Sequence, residues 1–202
     1  MTESPFLWGV STASYQVEGG INTSAGPVNN WAPWDASGRV QPCGDALSFW
    51  ACPERLLDLA SATGCNAFRM SVEWARVQPA PGAWDPAALD RYAEILAMCR
   101  ARGLEPVVTL QHFTHPLWAG QDLWLDHRAP DLFESYCRRC VDEIGRRLEA
   151  AGQPPVRWWI TINEPAVVPA ATYLLGMFPG TGWGPRRVAA AFDHTLAAHV
   201  RG

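Results

Sequence analysis

Charge of either sign is scarce in this 202-residue chain, where 16 lysines and arginines stand against 20 aspartates and glutamates, for a formal net charge of -4. So mild a balance offers no basic footprint for nucleic acid and no polybasic stretch for an anionic membrane. Long hydrophobic runs are absent too. The longest, Ala166 to Phe178, is interrupted by Pro169 and is too short to cross a bilayer, so a soluble chain is expected. The opening residues, Met1 to Phe6, carry neither the basic stretch nor the apolar stretch of a secretion leader. Cysteines number only 6 (Cys43, Cys52, Cys65, Cys99, Cys137 and Cys140) and form no dense framework. Free thiols and a cytoplasmic setting are therefore expected. Cys137 and Cys140 make a C-x-x-C. Both fall on an apolar helical stripe with Phe133, Tyr136, Val141, Ile144 and Leu148, which reads as buried packing and not as a metal or redox pair. No internal repeat, low-complexity tract or linker divides the chain, and neither a metal nor a cofactor is expected.

Apolar residues make up 48% of the chain, enough for a globular core. Tryptophan is abundant, at 11 residues, and Trp31, Trp34, Trp118, Trp124 and Trp183 fall in segments that read as loops. An indole suits the apolar face of a sugar ring, and it equally fills a large core. Composition leaves both readings open.

Short apolar strands alternate with helical patterns. The first strand reads Phe6-Leu-Trp-Gly-Val10 and leads into a Gly-, Pro- and Asn-rich loop, Gly19 to Gly44, long enough to be functional. A helix is expected from about Ala46 to Thr63, ended by Gly64. The second strand is Asn66 to Ser71. Asp85-Pro86 starts a helix with an N-cap oxygen and a first-turn proline; Leu89, Tyr92, Ala93, Leu96 and Cys99 recur on one face, and Gly103 closes it. The third strand is Leu104 to Leu110, followed by a helix from Pro130 to about Ala150. The fourth strand is Val156 to Ile162. A last helix starts near Pro185, with Val188, Phe192 and Leu196 on one face. Four consecutive βα units predict an α/β fold with a parallel sheet, and a (β/α)8 barrel needs eight of them. The expectation is a partial TIM barrel, its first four βα units, with residues 1–202 one incomplete domain. A doubly wound sheet is the alternative, without a Gly-x-Gly-x-x-Gly after the first strand to favour it.

Barrel active sites lie at the C-terminal ends of the strands. Each of the four strands here ends in, or soon leads to, a polar residue able to bind or react. These are Gln16 after the first, Arg69 in the second, His112 after the third, and Asn163-Glu164-Pro165 after the fourth. A glutamate just past a Trp- and Ile-rich strand can be partly desolvated, which suits it to protonate a leaving group. Asn163 beside it can donate to a hydroxyl next to the reacting carbon. Asn-Glu-Pro alone equally reads as a surface turn. After four βα units the site reading prevails. Arg69 can be half of a buried ion pair, and a guanidinium at a strand end is also placed to keep a neighbouring carboxylate ionised. His115, Glu18 and Glu73 read as structural.

The segments Phe6-Leu-Trp-Gly-Val-Ser-Thr-Ala-Ser-Tyr-Gln-Val-Glu-Gly19, Phe68-Arg-Met-Ser-Val-Glu-Trp74, His112-Phe113, Thr161-Ile-Asn-Glu-Pro165 and Ala171 to Gly180 resemble glycoside hydrolase family 1, the β-glucosidase family. The resemblance covers nearly the whole chain in order and spacing. It implies a retaining β-glycosidase with Glu164 as acid/base, Gln16 and His112 holding sugar hydroxyls, Asn163 holding the 2-hydroxyl, and Arg69 supporting the nucleophile. The substrate would be a small β-glycoside or disaccharide. Many members carry Trp where this chain has Phe113. The family nucleophile sits in a Thr-Glu-Asn-Gly segment that these 202 residues do not contain. The expectation is thus an N-terminal half, nearly inactive alone, with a complementing C-terminal half as partner. The alternative is a non-catalytic half-barrel that associates with itself or with a partner, because open strand edges favour association. An endo-glucanase shares only the Asn-Glu-Pro.

Overall fold

A computed structural model describes residues 6–202. Residues 1–5, on which the leader reading rests, lie outside the described residues. Four strands, β1 (Gly9–Ser11), β2 (Ala67–Ser71), β3 (Glu105–Gln111) and β4 (Trp158–Ile162), lie in sequence order, each parallel to the next. Parallel neighbours need a crossover, and helices supply each one. The helices are α1 (Ser14–Val17), α2 (Ala32–Ser37), α3 (Glu54–Ala62), α4 (Trp74–Val77), α5 (Pro86–Ala101), α6 (Ala129–Ala150), α7 (Val167–Tyr173) and α8 (Pro185–Arg201). This is the α/β half barrel that the alternation predicts. No described helix is long and apolar enough to cross a membrane.

Side chains alternate across a strand, which gives the sheet two unlike faces. Phe68 and Met70 of β2 and Val108 and Leu110 of β3 join the apolar core beneath the outer helices, with Leu89, Tyr92, Leu96, Phe133, Tyr136 and Ile144. Arg69 of β2 and Thr109 of β3 point the other way, toward the barrel interior, and touch there. Cys137 and Cys140 are fully buried on the α6 face, as the packing reading of the C-x-x-C requires.

Two expectations need correction. β1 spans three residues and starts at Gly9 instead of Phe6, because the Trp8 amide is taken by the Asn66 side chain and its carbonyl accepts the Asn66 and Ala67 amides. The helix expected from Ala46 starts only at Glu54. Ala46 (φ 46°) and Ser48 (φ 54°) hold left-handed turns, and the Leu47 and Phe49 amides bond to the Val17 carbonyl instead of a helix ladder. On α8 the buried residues are Ala191, Thr195 and Ala198, whose small size admits close approach to α6, while Phe192 and Leu196 stand 36% and 37% exposed. No described element covers that stripe.

The N-cap of α5 forms as predicted: Asp85 accepts from the amides of Ala87 (2.9 Å) and Ala88 (3.1 Å). Asp85→Ala is expected to lower stability by about 1 kcal/mol in urea unfolding, with the helix end otherwise intact. An unchanged midpoint would remove this cap from the account of why α5 begins where it does.

Candidate active site

The C-terminal end of the sheet collects the polar residues. Arg69 donates through Nε to Thr109 Oγ1 (2.8 Å) and through Nη2 to Asn163 Oδ1 (2.6 Å), so one guanidinium joins the ends of β2, β3 and β4. Burial pushes the Arg69 pKa down, and the nearby Glu164 carboxylate opposes that shift. Since Asn163 Oδ1 accepts from Arg69, its amide NH2 is oriented away as a free pair of donors. Its own backbone amide bonds to the Gln111 carbonyl (2.8 Å), fixing the β4 end against β3.

Glu164 follows in a left-handed conformation (φ 48°), and Phe113 does the same after β3 (φ 72°). Non-glycine residues held there cost on the order of 1–3 kcal/mol and cluster at functional sites. Both sit beside a candidate ligand, Asn163 and His112 respectively. Glu164 is exposed, where partial desolvation was expected.

His112 and Gln16 line one cavity of about 240 Å³ with Tyr15, Trp31, Phe113 and Phe178. Burial, aided by the charge of Arg69, lowers the His112 pKa to about 4, so the ring is neutral near pH 7. Its Nδ1 and the Trp31 indole Nε1 are buried polar groups with no partner among the described residues. Trp31, Phe178 and Phe113 form a continuous aromatic wall, with centroids 5.2 Å and 5.1 Å apart. Gln16 is exposed at the cavity rim. The geometry thus brings Gln16 and His112 to one cavity and hydrogen-bonds Arg69 to Asn163, with Arg69 acting electrostatically on His112 and Glu164. Sequence reasoning missed Tyr15, Thr109 and Phe178. Thr109 was legible, since it alternates onto the same sheet face as Arg69.

A second layer supports these residues. Glu73 Oε2 accepts from Ser14 Oγ (2.9 Å) and Thr114 Oγ1 (2.9 Å), tying the helix that bears Gln16 to the loop that bears His112. The Tyr92 hydroxyl accepts the Glu73 amide (2.8 Å) and donates to Glu18 Oε1 (2.7 Å), whose other oxygen accepts from Arg76 Nε (3.0 Å). His115 is buried and donates from Nε2 to the Gly120 carbonyl (3.0 Å), while Asn30 exchanges two hydrogen bonds with its backbone. Glu18, Glu73 and His115 are thus interior struts, as the sequence suggests. Of the loop tryptophans, Trp124 is core, Trp118 bonds to the Gln78 carbonyl, Trp31 lines the cavity and Trp183 is 80% exposed. Among the described residues no group of three or more His, Cys, Asp or Glu is arranged to hold a metal.

Polar groups gathered at the C-terminal ends of consecutive parallel βα units place the chain in the α/β-barrel class. The chain belongs to glycosyl hydrolase family 1, whose family model matches residues 2–202. It is 30% identical over 199 residues to a 6-phospho-beta-galactosidase of Staphylococcus aureus, an alignment covering 97% of this chain and 40% of that protein. Among solved structures it is similar to a beta-glycosidase from Pyrococcus horikoshii (29% identity, TM-score 0.81) and to a beta-glucosidase from Thermotoga maritima in complex with cyclophellitol (28%, TM-score 0.84). Each of these covers 97% of this chain, which spans 44% of the structure compared. The chain therefore spans about two fifths of the length of the curated relatives it matches.

Glu18 and Glu73 are two buried carboxyls near one guanidinium, Arg76. Burial pushes Glu18 up to about 7 despite Arg76 and Tyr92, and pushes Glu73 up against its two hydroxyl donors. A raised carboxyl keeps its proton in the fold after the unfolded chain has lost its own. Its stabilising contribution is therefore complete below the unfolded value and is lost as pH rises toward about 7. His112 and His115, both lowered to about 4, slope the opposite way, so a difference measurement is needed. Relative to the parent, Glu18→Gln is expected to gain stability steadily between about pH 5 and 7.5 in urea unfolding. A difference that stays flat across that range would mean that Arg76 holds Glu18 ionised throughout.

Proposed function

We propose that residues 1–202 form one incomplete barrel domain contributing the acid/base half of a retaining β-glycosidase site, which hydrolyses O-glycosidic bonds of β-glucosides or β-galactosides. The observation that carries this reading is Arg69 bonded to Asn163 immediately before a strained Glu164, at the open end of the sheet. In this reading Glu164 protonates the leaving oxygen and then, as a carboxylate, takes a proton from the incoming water. Asn163 donates from its free NH2 to the 2-hydroxyl, a contact that strengthens as charge develops on the sugar ring. Neutral His112 and exposed Gln16 hold further hydroxyls at the cavity, with the aromatic wall of Trp31, Phe113 and Phe178 against the apolar side of the ligand.

Retention needs a second carboxylate about 5–5.5 Å from the first. Arg69 is the group that would support it, from a residue outside this sequence. The names of the relatives supply the two sugar classes: a 6-phospho-beta-galactosidase and beta-glucosidases.

Joining this chain to the C-terminal half of the Thermotoga relative and assaying an aryl β-glucoside tests the assignment. Hydrolysis is expected, falling about 100- to 10,000-fold in Glu164→Gln on a poor leaving group. The 202-residue chain alone should give no turnover above background. Turnover by the chain alone that Glu164→Gln abolishes would show the nucleophile to be among these residues.

A further inference from the structure

Residues 174–184, between α7 and α8, hold four glycines and one proline in eleven positions, a composition that gives the backbone little preferred path of its own. Hydrogen bonds fix that path. The Gly184 amide closes the two ends on the Tyr173 carbonyl (2.8 Å), and the Met177 and Phe178 amides both reach the Ala171 carbonyl (2.8 Å and 3.2 Å). Those three bonds tie the segment to α7, the helix it leaves. A different strand's loop is reached through the side chain of Asp122.

Asp122 stands just before the one-turn helix Leu123–Leu125, in the loop after β3 that also carries His112 and Phe113. Its Oδ1 accepts from the Thr181 amide (3.1 Å) and its Oδ2 from the Thr181 hydroxyl, with Arg187 Nη1 at 3.5 Å. The Tyr173 hydroxyl bonds to the same carboxylate; burial and the Asp122 charge raise its pKa, so it remains a donor. Three residues thus aim donors at one carboxylate whose side chain is 16% exposed, and bonds to an ionised acceptor are about twice as strong as neutral ones. The fit is close as well. A Cβ on Gly180 would lie 3.3 Å from Asp122 Oδ1 and 2.5 Å from Thr172 Cγ2, so the segment passes the carboxylate with no room for a side chain.

The consequence lies at the cavity. Phe113 comes from the β3 loop and Phe178 from residues 174–184; their ring centroids are 5.1 Å apart, and Trp31 stands 5.2 Å from Phe178 on its other contact. The carboxylate therefore joins the two pieces of chain whose rings must meet, although it does not itself line the cavity. We propose that Asp122 is the positioning residue of this aromatic wall: by holding Phe178 against Phe113 and Trp31 it sets how tightly the cavity binds a flat apolar face, that of a pyranose or an aryl group. The proposal rests on the reading of this cavity as a ligand site.

Nuclear magnetic resonance on the 202-residue chain, with phenyl β-D-glucoside as the probe, tests it. In the parent, millimolar probe should shift the Trp31 indole and Phe178 ring resonances, and nuclear Overhauser contacts should join the Phe178 and Phe113 rings. Asp122→Ala should erase those ring contacts and weaken probe binding about tenfold, roughly the worth of one aromatic contact, with far-ultraviolet circular dichroism unchanged. Asp122→Asn keeps one carbonyl acceptor for the Thr181 amide and should recover part of that affinity. Thr181→Val removes a single hydroxyl donor at an exposed position. It should move both readouts the same way by less, and it decides the matter if Asp122→Ala does not fold. A role confined to stability would lower the unfolding midpoint and leave ring contacts and probe affinity as in the parent; that result overturns the proposal and leaves the glycosidase reading standing. A parent that shows no shift with the probe removes the ligand site itself, and the proposal with it.

Discussion

The buried end of Arg69 is the constraint on which the site depends. A guanidinium taken out of water is tolerated only where its donors are satisfied, and here Thr109 and Asn163 satisfy two of them from different strands. The same bonds fix what each strand end can present. Asn163 must turn its carbonyl inward, which leaves its NH2 outward; Glu164 must then turn sharply, and it does so at φ 48°. The charge that holds the amide also acts on Glu164, and it adds to the burial that keeps His112 neutral. One cation therefore orients an amide, lies within electrostatic reach of a carboxylate and reinforces the neutrality that burial imposes on an imidazole.

Support for that arrangement lies below it and is built from groups with no direct part in ligand contact. Glu73 spans the first and third strand ends through two hydroxyls, and Tyr92 connects Glu73 to Glu18 and Arg76. The long loop from Gly19 to Gly44 is held to the same body, since Asn30 pairs with the His115 backbone and Asn29 bridges to Pro116. That loop brings Trp31 to the cavity. Its length serves a wall and not a connector.

Much of the fold was legible because strong local signals agreed with the tertiary outcome. Asp85-Pro86 and Gly103 bracket α5, Pro130 opens α6 within one residue, and alternation marks β2 and β3. The failures have a common cause in long-range hydrogen bonds. The stretch after Ala46 has helical composition, yet its amides are claimed by the Val17 carbonyl across the fold. On α8 the apolar face of Phe192 and Leu196 forms as read, while close approach of helices selects the small Ala191, Thr195 and Ala198 for burial. Strand-end position made Gln16, Arg69, His112, Asn163 and Glu164 legible as candidates. Phe178 was hidden, because only the return of a distant loop puts it against Phe113 and Trp31.

The brevity of β1 has a mechanical meaning for Gln16. Three ladder residues make a weak hold, but the segment just beyond them is fastened independently: the Ser14 amide bonds to Ser71 Oγ, its hydroxyl to Glu73, and the Thr12 amide to the Arg69 carbonyl. Fraying within β1 can therefore run out before it reaches the cavity rim. Gln16 is anchored from behind, so the geometry at the mouth is insulated from breathing of the strand that leads to it.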